Sequence, residues 1–309
     1  MKKQITIGIP KAFLYYRYNI LWTTYLKKLN CNIIYSNDTN KKTIELGKKY
    51  SIDESCLSSK IYLGHVAELI NKCDYILAPR ISNYGKTDKV CVKFNATYDL
   101  IHNSFPKIKI LDYNIETTSH HTEFLELINL GLKLNKNIFK VLSSYHIAKK
   151  AEKKYYKNLM KNQEKLLNIN KLKILIVSHP YNIYDKYIGY PIVKFLTDMN
   201  IELIYADRLD KQIANTLSKN LSPTLYWTYS KELIGAIEYY KYSVDGIIFL
   251  TSFPCGPDSL VNELMIRKIT DIPITNILID ESTAEAGVHT RLESFIDIIK
   301  GKKEKNEKD

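Results

Sequence analysis

Three cysteines stand at positions where a thiolate could act as a metal ligand. Cys56 and Cys91 each precede a stretch with helical spacing of apolar residues, and Cys255 lies between an apolar strand and the next helix. A cysteine at a helix start faces backbone N–H groups and the positive end of the helix dipole, and both favour the thiolate that binds metals. Pro257 suits the first position of the helix after Cys255. The same pattern fits the packing of a small residue, so local sequence leaves both interpretations open.

The full set of five cysteines indicates neither a disulfide framework nor a zinc ribbon. The cysteines are odd in number and widely scattered, and no CxxC pair occurs. Cys31 opens a predicted strand and Cys73 ends a predicted helix. We therefore expect these two side chains to pack as small apolar residues.

Two histidines are weak candidates for acid–base catalysis. His65 lies in the helix that follows Cys56, where it could donate a hydrogen bond or a proton toward the cysteine. His179 follows the first strand of the second half, at a predicted sheet edge. A structural role in the core or at the surface is the alternative for both.

Carboxylates and hydroxyls surround Cys255 and the last strand. Asp258 and Ser259 fall in the first turn of the helix after Cys255, where they either cap the helix or tune a nearby metal site by hydrogen bonding. Asp280 opens the acidic loop "DESTAEAG", which fits a turn and a helix start as well as a loop around a site.

Strands and helices alternate along both halves of the sequence. Apolar runs such as "ITIGI" and "GIIFLTS" indicate buried strands, and stretches with helical spacing come between them. This alternation predicts an α/β fold with two doubly wound, mostly parallel, Rossmann-like units joined by a helical section. The predicted segments are an N-terminal α/β domain (1–118), a helical connector (119–170), a C-terminal α/β domain (171–300) and a disordered basic tail (301–309).

Charge and composition exclude several classes of partner. The net charge is +12, but the lysines concentrate in residues 148–173 and in the tail, as on solvated surfaces, and no nucleic-acid motif occurs. No apolar run approaches the roughly 18 residues needed to span a bilayer, and no signal peptide is recognisable. We expect a cytoplasmic protein without nucleic-acid or membrane partners. No phosphate-binding loop or GxGxxG motif indicates a site for ATP or NAD.

Several strings taken together resemble the acyl-CoA dehydratase activase-related family, a relative of 2-hydroxyacyl-CoA dehydratase subunits and of double-cubane cluster proteins. They include "IGIPKAFLYYRYNILW", "DESCLSSKIYLGHVAEL", "SHPYNIYDKYIGYPIVKFL", "LTSFPCGPDSLVNELMIRK" and "ILIDESTAEAGVHTRLESFID". The three cysteines of the family pattern fall on Cys56, Cys91 and Cys255. Val92 stands where proline is usual in the family, which puts the backbone around Cys91 in question.

The resemblance implies an oxygen-sensitive 4Fe-4S cluster held by Cys56, Cys91 and Cys255, which would converge between the two α/β halves. Such a cluster, either a single cubane or half of a double cubane, would receive low-potential electrons from an ATP-dependent activase. A second dehydratase-like cluster subunit is the other implied partner. As an enzyme, the protein would be a lyase similar to 2-hydroxyacyl-CoA dehydratase or a component of a low-potential reductase.

Two other classes of function fit the sequence. One is a hydrolytic or transferase enzyme that uses His179 and the carboxylates around Asp280. The other is a non-catalytic partner or scaffold for a larger cluster-bearing dehydratase or reductase subunit.

Overall fold

Helices alternate with short strands through most of the chain. The computed structural model describes residues 4–135 and 137–306. The strands are β1 (Thr6–Ile9), β2 (Asn32–Tyr35), β3 (Tyr75–Leu77), β4 (Arg80–Gly85), β5 (Asp88–Lys89), β6 (Ile110–Leu111), β7 (Asn114–Glu116), β8 (Lys173–Val177), β9 (Glu202–Tyr205), β10 (Gly246–Ser252) and β11 (Ile274–Ile279). The helices are α1 (Tyr15–Lys28), α2 (Lys41–Lys49), α3 (Leu57–Leu69), α4 (Val92–Asn95), α5 (Thr97–Ser104), α6 (Glu123–Leu134), α7 (Ile138–Leu167), α8 (Pro180–Ile183), α9 (Tyr190–Asp198), α10 (Lys211–Leu221), α11 (Thr228–Tyr240), α12 (Gly256–Lys268) and α13 (Glu285–Asn306).

The described residues group into two compact units. The first runs to Lys157 and includes Tyr226–Thr228, and the second comprises Asn158–Leu225 and continues from Tyr229. The boundary at Lys157 falls inside α7. Together α6 and α7 occupy most of the section that the sequence analysis assigned to a helical connector.

The first unit is built on a four-stranded parallel sheet with the order β2-β1-β3-β6. The chain moves from β1 outward to β2 and returns to place β3 on the other side of β1. The pair β1/β3 is therefore the point where the strand order reverses, which is where open α/β sheets bind ligands. A small sheet, β5-β4-β7, follows β3, with β4 antiparallel to β5 and parallel to β7. This second sheet is not predicted from the sequence.

Two glycines let α2 and α3 pack with their backbones in contact. A Cβ atom at Gly47 would lie 1.9 Å from the carbonyl oxygen of Lys60, and one at Gly64 would lie 2.0 Å from that of Thr43. No side chain fits at these distances, so both positions require glycine. The contact fixes α3, the helix that begins directly after Cys56.

The second unit is built on another four-stranded parallel sheet, with the order β11-β10-β8-β9. All seven residues of β10 are buried, as expected for an inner strand of a parallel sheet covered by helices. The strand order reverses between β8 and β10. The predicted α/β fold with mostly parallel sheets is thus confirmed, and both units carry Rossmann-like strand arrangements.

Two local predictions need correction. Pro257 occupies the second position of α12, because the helix begins at Gly256. Helix α13 continues to Asn306, so residues 301–306 of the predicted disordered tail are helical. Buried Ile299 anchors the helix at this end, and the Nζ atom of Lys303 lies 3.3 Å from Oδ1 of Asp245. Residues 307–309 of the predicted tail lie outside the described residues.

Among the helices in the part of the chain that the structure describes, none combines the length and the apolar character needed to cross a membrane.

Candidate functional site

Cys56 and Cys91 both precede helices, as the sequence predicts. Cys56 is the N-cap residue of α3, with an extended backbone (φ −60°, ψ 150°), and Cys91 is the N-cap residue of α4 (φ −57°, ψ 138°). Both side chains are half-buried. Neither thiol caps the backbone N–H groups of its helix. Each thiol is therefore held at a helix start while remaining partly accessible.

A hydrogen bond connects these two helix starts within the first unit. The Nζ atom of Lys93, two residues after Cys91, donates a hydrogen bond to the Oγ atom of Ser55 at 3.4 Å. Ser55 directly precedes Cys56. The lysine therefore links the segment that carries one cysteine to the segment that carries the other, and it places a cation close to both.

Phe13 packs against both cysteine-bearing helices. Its ring stacks on Tyr62 of α3 at a centroid distance of 5.0 Å and meets Phe94 of α4 edge-on at 5.1 Å. All three side chains are buried. Phe13 lies in the turn after β1 and has a left-handed backbone, with φ 49°. A bulky residue in this conformation is strained and is retained only where the surroundings fix it.

Phe13 does not stand out in the sequence as a positioning residue. The string "GIPKAF" occupies the turn where a nucleotide-binding motif would stand. An aromatic residue in a short turn between a buried strand and a helix was the available indication. Its two aromatic partners are distant in sequence, so the cluster itself could not be predicted.

Val92 leaves the backbone around Cys91 intact. It is the first residue of α4, and its side chain is 74% exposed. Residues that precede proline adopt extended backbone conformations, and Cys91 has such a conformation here. Proline is also favoured at the first position of a helix. The structure therefore keeps at Cys91 the geometry that a proline at position 92 would impose.

Cys255 belongs to the second unit. It is the half-buried N-cap residue of α12 and has an extended backbone, with φ −105° and ψ 104°. It comes three residues after β10, at the carboxyl end of the sheet and beside the β8/β10 switch point. Its local setting thus matches those of Cys56 and Cys91.

His179 and Asp258 form a buried pair at this switch point. His179 follows β8 as the N-cap residue of α8, and Asp258 lies in the first turn of α12. The Nε2 atom of His179 is 2.8 Å from Oδ1 of Asp258, and the side chains are 6% and 9% exposed. The imidazole stacks on Tyr181 at a centroid distance of 5.1 Å. Its Nδ1 atom is buried and has no hydrogen-bond partner among the described residues.

A small cavity of about 10 Å³, lined by apolar as well as polar side chains, lies beside Asp258. Its polar lining includes Ser178, Ser230, Thr251 and Asn262. Asn262 donates to the hydroxyl of Thr251 at 2.9 Å. The volume is close to the minimum that one water molecule requires. The switch point of the second unit therefore combines a buried histidine–carboxylate pair with a small cavity.

The two other residues proposed around Cys255 and the last strand have local roles. The side chain of Ser259 is exposed, and its backbone N–H donates the first helical hydrogen bond to the carbonyl of Cys255 at 3.0 Å. Asp280 accepts hydrogen bonds from Ser282 and Thr283 in the turn after β11. The hydroxyl of Thr283, with smaller contributions from Ser282, lowers the pKa of Asp280. The carboxylate partner of His179 is Asp258 and not Asp280.

His65 lies inside the first unit, in the middle of α3. It is fully buried, and its Nε2 atom is 2.9 Å from the hydroxyl of Thr39. Burial, with a smaller contribution from Lys11, lowers the pKa of His65 to about 3. The imidazole is therefore neutral near pH 7. A group with this pKa is a poor general acid or base at neutral pH.

Cys31 and Cys73 are placed as packing residues. Cys31 is buried, and burial raises the pKa of its thiol to about 11. Cys73 follows the turn after α3, and a Cβ atom at Gly8 of β1 would lie 2.7 Å from its sulfur. Burial also raises the pKa of Cys73. Both thiols are disfavoured as thiolates.

Three-ligand groups are the usual minimum for a protein metal site, and none is formed by the described residues. Within residues 4–135 and 137–306, no set of three or more histidine, cysteine, aspartate or glutamate side chains is arranged to hold a metal ion. The structure brings the segments of Cys56 and Cys91 together in the first unit and pairs His179 with Asp258 in the second. Cys255 is three residues from Asp258.

The fold and these residues define an α/β protein of two Rossmann-like units with cysteines at helix starts. The chain belongs to the CoA enzyme activase uncharacterised domain family (DUF2229), whose model matches residues 6–209. This match includes Cys56, Cys91 and His179 and ends before Cys255. No curated protein matches the chain. A crystal structure of the Streptococcus pneumoniae AdcAII protein is 13% identical over 89% of both chains, but its TM-score of 0.25 supports no inference.

Proposed function

We propose that this protein is an iron–sulfur redox protein similar to 2-hydroxyacyl-CoA dehydratase subunits. It holds one oxygen-sensitive 4Fe-4S cluster on Cys56, Cys91 and Cys255. The observation that carries the proposal is the link between Ser55 and Lys93, which places the segments of two proposed ligands side by side. Membership of a CoA enzyme activase-related family supports the same assignment.

The donor set fits the chemistry of a cubane cluster. Iron–sulfur clusters are held by cysteine thiolates, and each of the three proposed ligands is a half-buried N-cap cysteine. Cys31 and Cys73, whose thiols have raised pKa values, are unsuited to the task. The first unit supplies two of the ligands, so the proposal requires the third thiolate to come from Cys255 of the second unit.

The residues around the proposed ligands hold the cysteine-bearing segments in place and balance the charge of the thiolates. When bound, the cluster supplies one-electron chemistry at an iron without a protein thiolate. Phe13, Tyr62 and Phe94 form an apolar cluster that fixes both helix starts. Lys93 provides a positive charge that offsets the negative charge of neighbouring thiolates. His179 holds the first turn of α12 through Asp258, and this turn carries Cys255.

The proposal implies two protein partners. An ATP-dependent activase would deliver low-potential electrons, because the sequence contains no nucleotide-phosphate motif of its own. A second dehydratase-like cluster subunit would complete a lyase or a low-potential reductase. The oxygen-sensitive cluster and unbridged thiols suit a reducing cytoplasm.

The decisive test is anaerobic purification with iron and acid-labile sulfide determination. We expect about four iron and four sulfide per chain in the wild type. Cys56→Ala, Cys91→Ala and Cys255→Ala should each lose most of the iron. Cys73→Ala is the matched control, because it removes a half-buried thiol that precedes β3 and not a helix, and it should keep the iron.

Two outcomes contradict the proposal. Absence of iron in anaerobic protein after reconstitution would favour a non-catalytic partner of a larger cluster-bearing subunit. Full iron content in the Cys255→Ala variant would remove Cys255 from the ligand set and return it to a packing role.

A further inference from the structure

Arg208 is held rigidly at the carboxyl end of the sheet in the second unit. It ends the short 3-10 helix Ala206–Arg208, which directly follows β9. Its guanidinium carbon lies 3.9 Å from the centroid of the Tyr205 ring. Its Nε atom donates a hydrogen bond to the hydroxyl of Tyr184 at 3.2 Å. One aromatic face and one hydrogen bond therefore fix the plane of the guanidinium group.

Other residues hold these two tyrosines in place. The hydroxyl of Tyr184 donates to Oδ1 of Asp207 at 3.0 Å, which leaves its oxygen free to accept from Arg208. The side chain of fully buried Gln163 donates to the carbonyl of Tyr205 at 2.9 Å and accepts from its N–H at 2.9 Å. The position of Arg208 is thus determined by residues from three separate elements.

The outer edge of the guanidinium group has no partner among the residues that the structure describes. Of its five N–H donors, the one on Nε is used by Tyr184. The two terminal amino groups make no hydrogen bond or ion pair to any residue within the described ranges. Burial alone would lower the pKa of Arg208, but Tyr184 and Asp207 raise it, so the side chain stays charged. Half-buried, fixed and charged, Arg208 presents a free fork of donors.

We propose that Arg208 binds an oxyanion, a phosphate or carboxylate group of a small ligand. A guanidinium fork matches both groups in geometry, and charge-assisted bonds of this kind are strong. The carboxyl ends of parallel strands are where open α/β sheets bind ligands. Strand β8 lies between β9 and β10, so the anion would sit one strand away from the crevice that holds His179 and Cys255. The proposal does not depend on the cluster.

The test is isothermal titration of the metal-free protein in air at physiological ionic strength. Inorganic phosphate, pyrophosphate and acetate serve as separate probes, so the phosphate and carboxylate sources are distinguished. We expect saturable binding of at least one probe. Affinity should fall about tenfold or more in Arg208→Gln, because a charged hydrogen-bond donor is lost. Arg267→Gln is the matched control, because Arg267 lies exposed on α12 with its Nε atom bonded to Glu263.

Two further variants distinguish a loss of binding from a folding defect. Thermal melting checks that each variant is folded. Arg208→Lys keeps the charge but loses the fork, so binding should weaken by several-fold. Tyr184→Phe keeps the ring and removes the hydroxyl that orients Arg208, and it should also weaken binding. Failure of the wild type to bind any probe would overturn the proposal. Equal affinities in the wild type and in the folded variants would overturn it as well. Neither result bears on the iron content, so this proposal and the cluster proposal fail independently.

Discussion

The two units share one strand order and differ in what occupies the point where that order reverses. In each unit, the second strand along the chain lies on one side of the first strand, and the third and fourth strands lie on the other side of it. The first unit fills the turn after its first strand with the buried ring of Phe13, next to the segments of two cysteines. The second unit places a buried histidine there, paired with a carboxylate from the helix after its third strand.

This difference shows how one topology supports two kinds of site. The strand order determines where loops converge, and the residue types in those loops determine the chemistry. In the first unit an apolar cluster fixes two thiols, so packing does the positioning. In the second unit a hydrogen bond does so, because the pair His179–Asp258 links the ends of two neighbouring strands.

Truncation of Phe13 is the strongest way to test positioning by packing. We expect Phe13→Ala to cost about 3–5 kcal/mol of stability in the first unit, since a buried ring is lost. Alanine gives no relief at a left-handed φ of 49°. Hydrogen exchange should show faster exchange at the starts of α3 and α4, with the second unit unchanged. Cys56 and Cys91 should both become more reactive to alkylation in the metal-free protein.

Phe105→Ala is the matched control for this prediction. Phe105 is buried in the same unit and packs against Tyr50 at a centroid distance of 4.5 Å. Its truncation should destabilise the unit without a selective change at the two cysteines. If both variants change cysteine reactivity equally, Phe13 has no special positioning role.

Removal of His179 tests positioning by hydrogen bonding. His179→Ala leaves a buried carboxyl group without its partner, so we expect a loss of about 2–3 kcal/mol, confined to the second unit. Exchange should increase in the first turn of α12, and Cys255 should be alkylated at a different rate. His289→Ala, which removes a less buried histidine that stacks on Phe195 at 4.0 Å, should leave Cys255 unaffected. Unchanged protection of α12 in the His179 variant would contradict the assignment.

The sequence predicts the fold well where local pattern and packing agree. Buried strands such as β1, β8 and β10 read as apolar runs, and the helices between them show helical spacing, so the α/β class and the parallel sheets follow. The strands β4, β5 and β7 escape prediction because they are short and polar, and their pairing contains register shifts. Residues 301–306 also escape it, because their helix depends on tertiary anchors at Ile299 and Asp245.

The candidate site is predictable as a set of positions but not as a geometry. Residue type and helix-start location mark Cys56, Cys91 and Cys255 as candidates, and only the family resemblance assigns them to one cluster. The pairing of His179 with Asp258 joins residues 79 apart in sequence and depends on β8 and β10 being neighbours. Without the strand order, the sequence suggests only the carboxylates around Asp280 as partners for His179.

The burial of His65 in the first unit can be tested through the pH dependence of stability. Its pKa is about 3 in the folded protein, against 6.5 for an ordinary histidine, because it is buried. Below pH 6.5, His65 therefore binds a proton in the unfolded chain but not in the folded chain. Stability should fall by up to about 1.4 kcal/mol per pH unit from pH 6.5 down to about 3. When the pH is lowered from about 7.5 to about 5.5, the free energy of unfolding measured in urea should fall by about 1.4 kcal/mol more in the wild type than in His65→Gln. Equal losses would show that His65 titrates normally.

The smallest expected effect concerns Val92, and it probes the backbone that positions one of the cysteines in the first unit. Val92→Pro should stabilise the protein by about 0.4–1 kcal/mol, because proline restricts the unfolded chain and the native backbone already suits it. The N–H of Val92 makes no hydrogen bond to any described residue, so none is lost. Val92→Ala, measured beside it by urea unfolding, should show no such gain. Destabilisation by proline would mean that Cys91 does not have the extended conformation on which its role as a ligand depends.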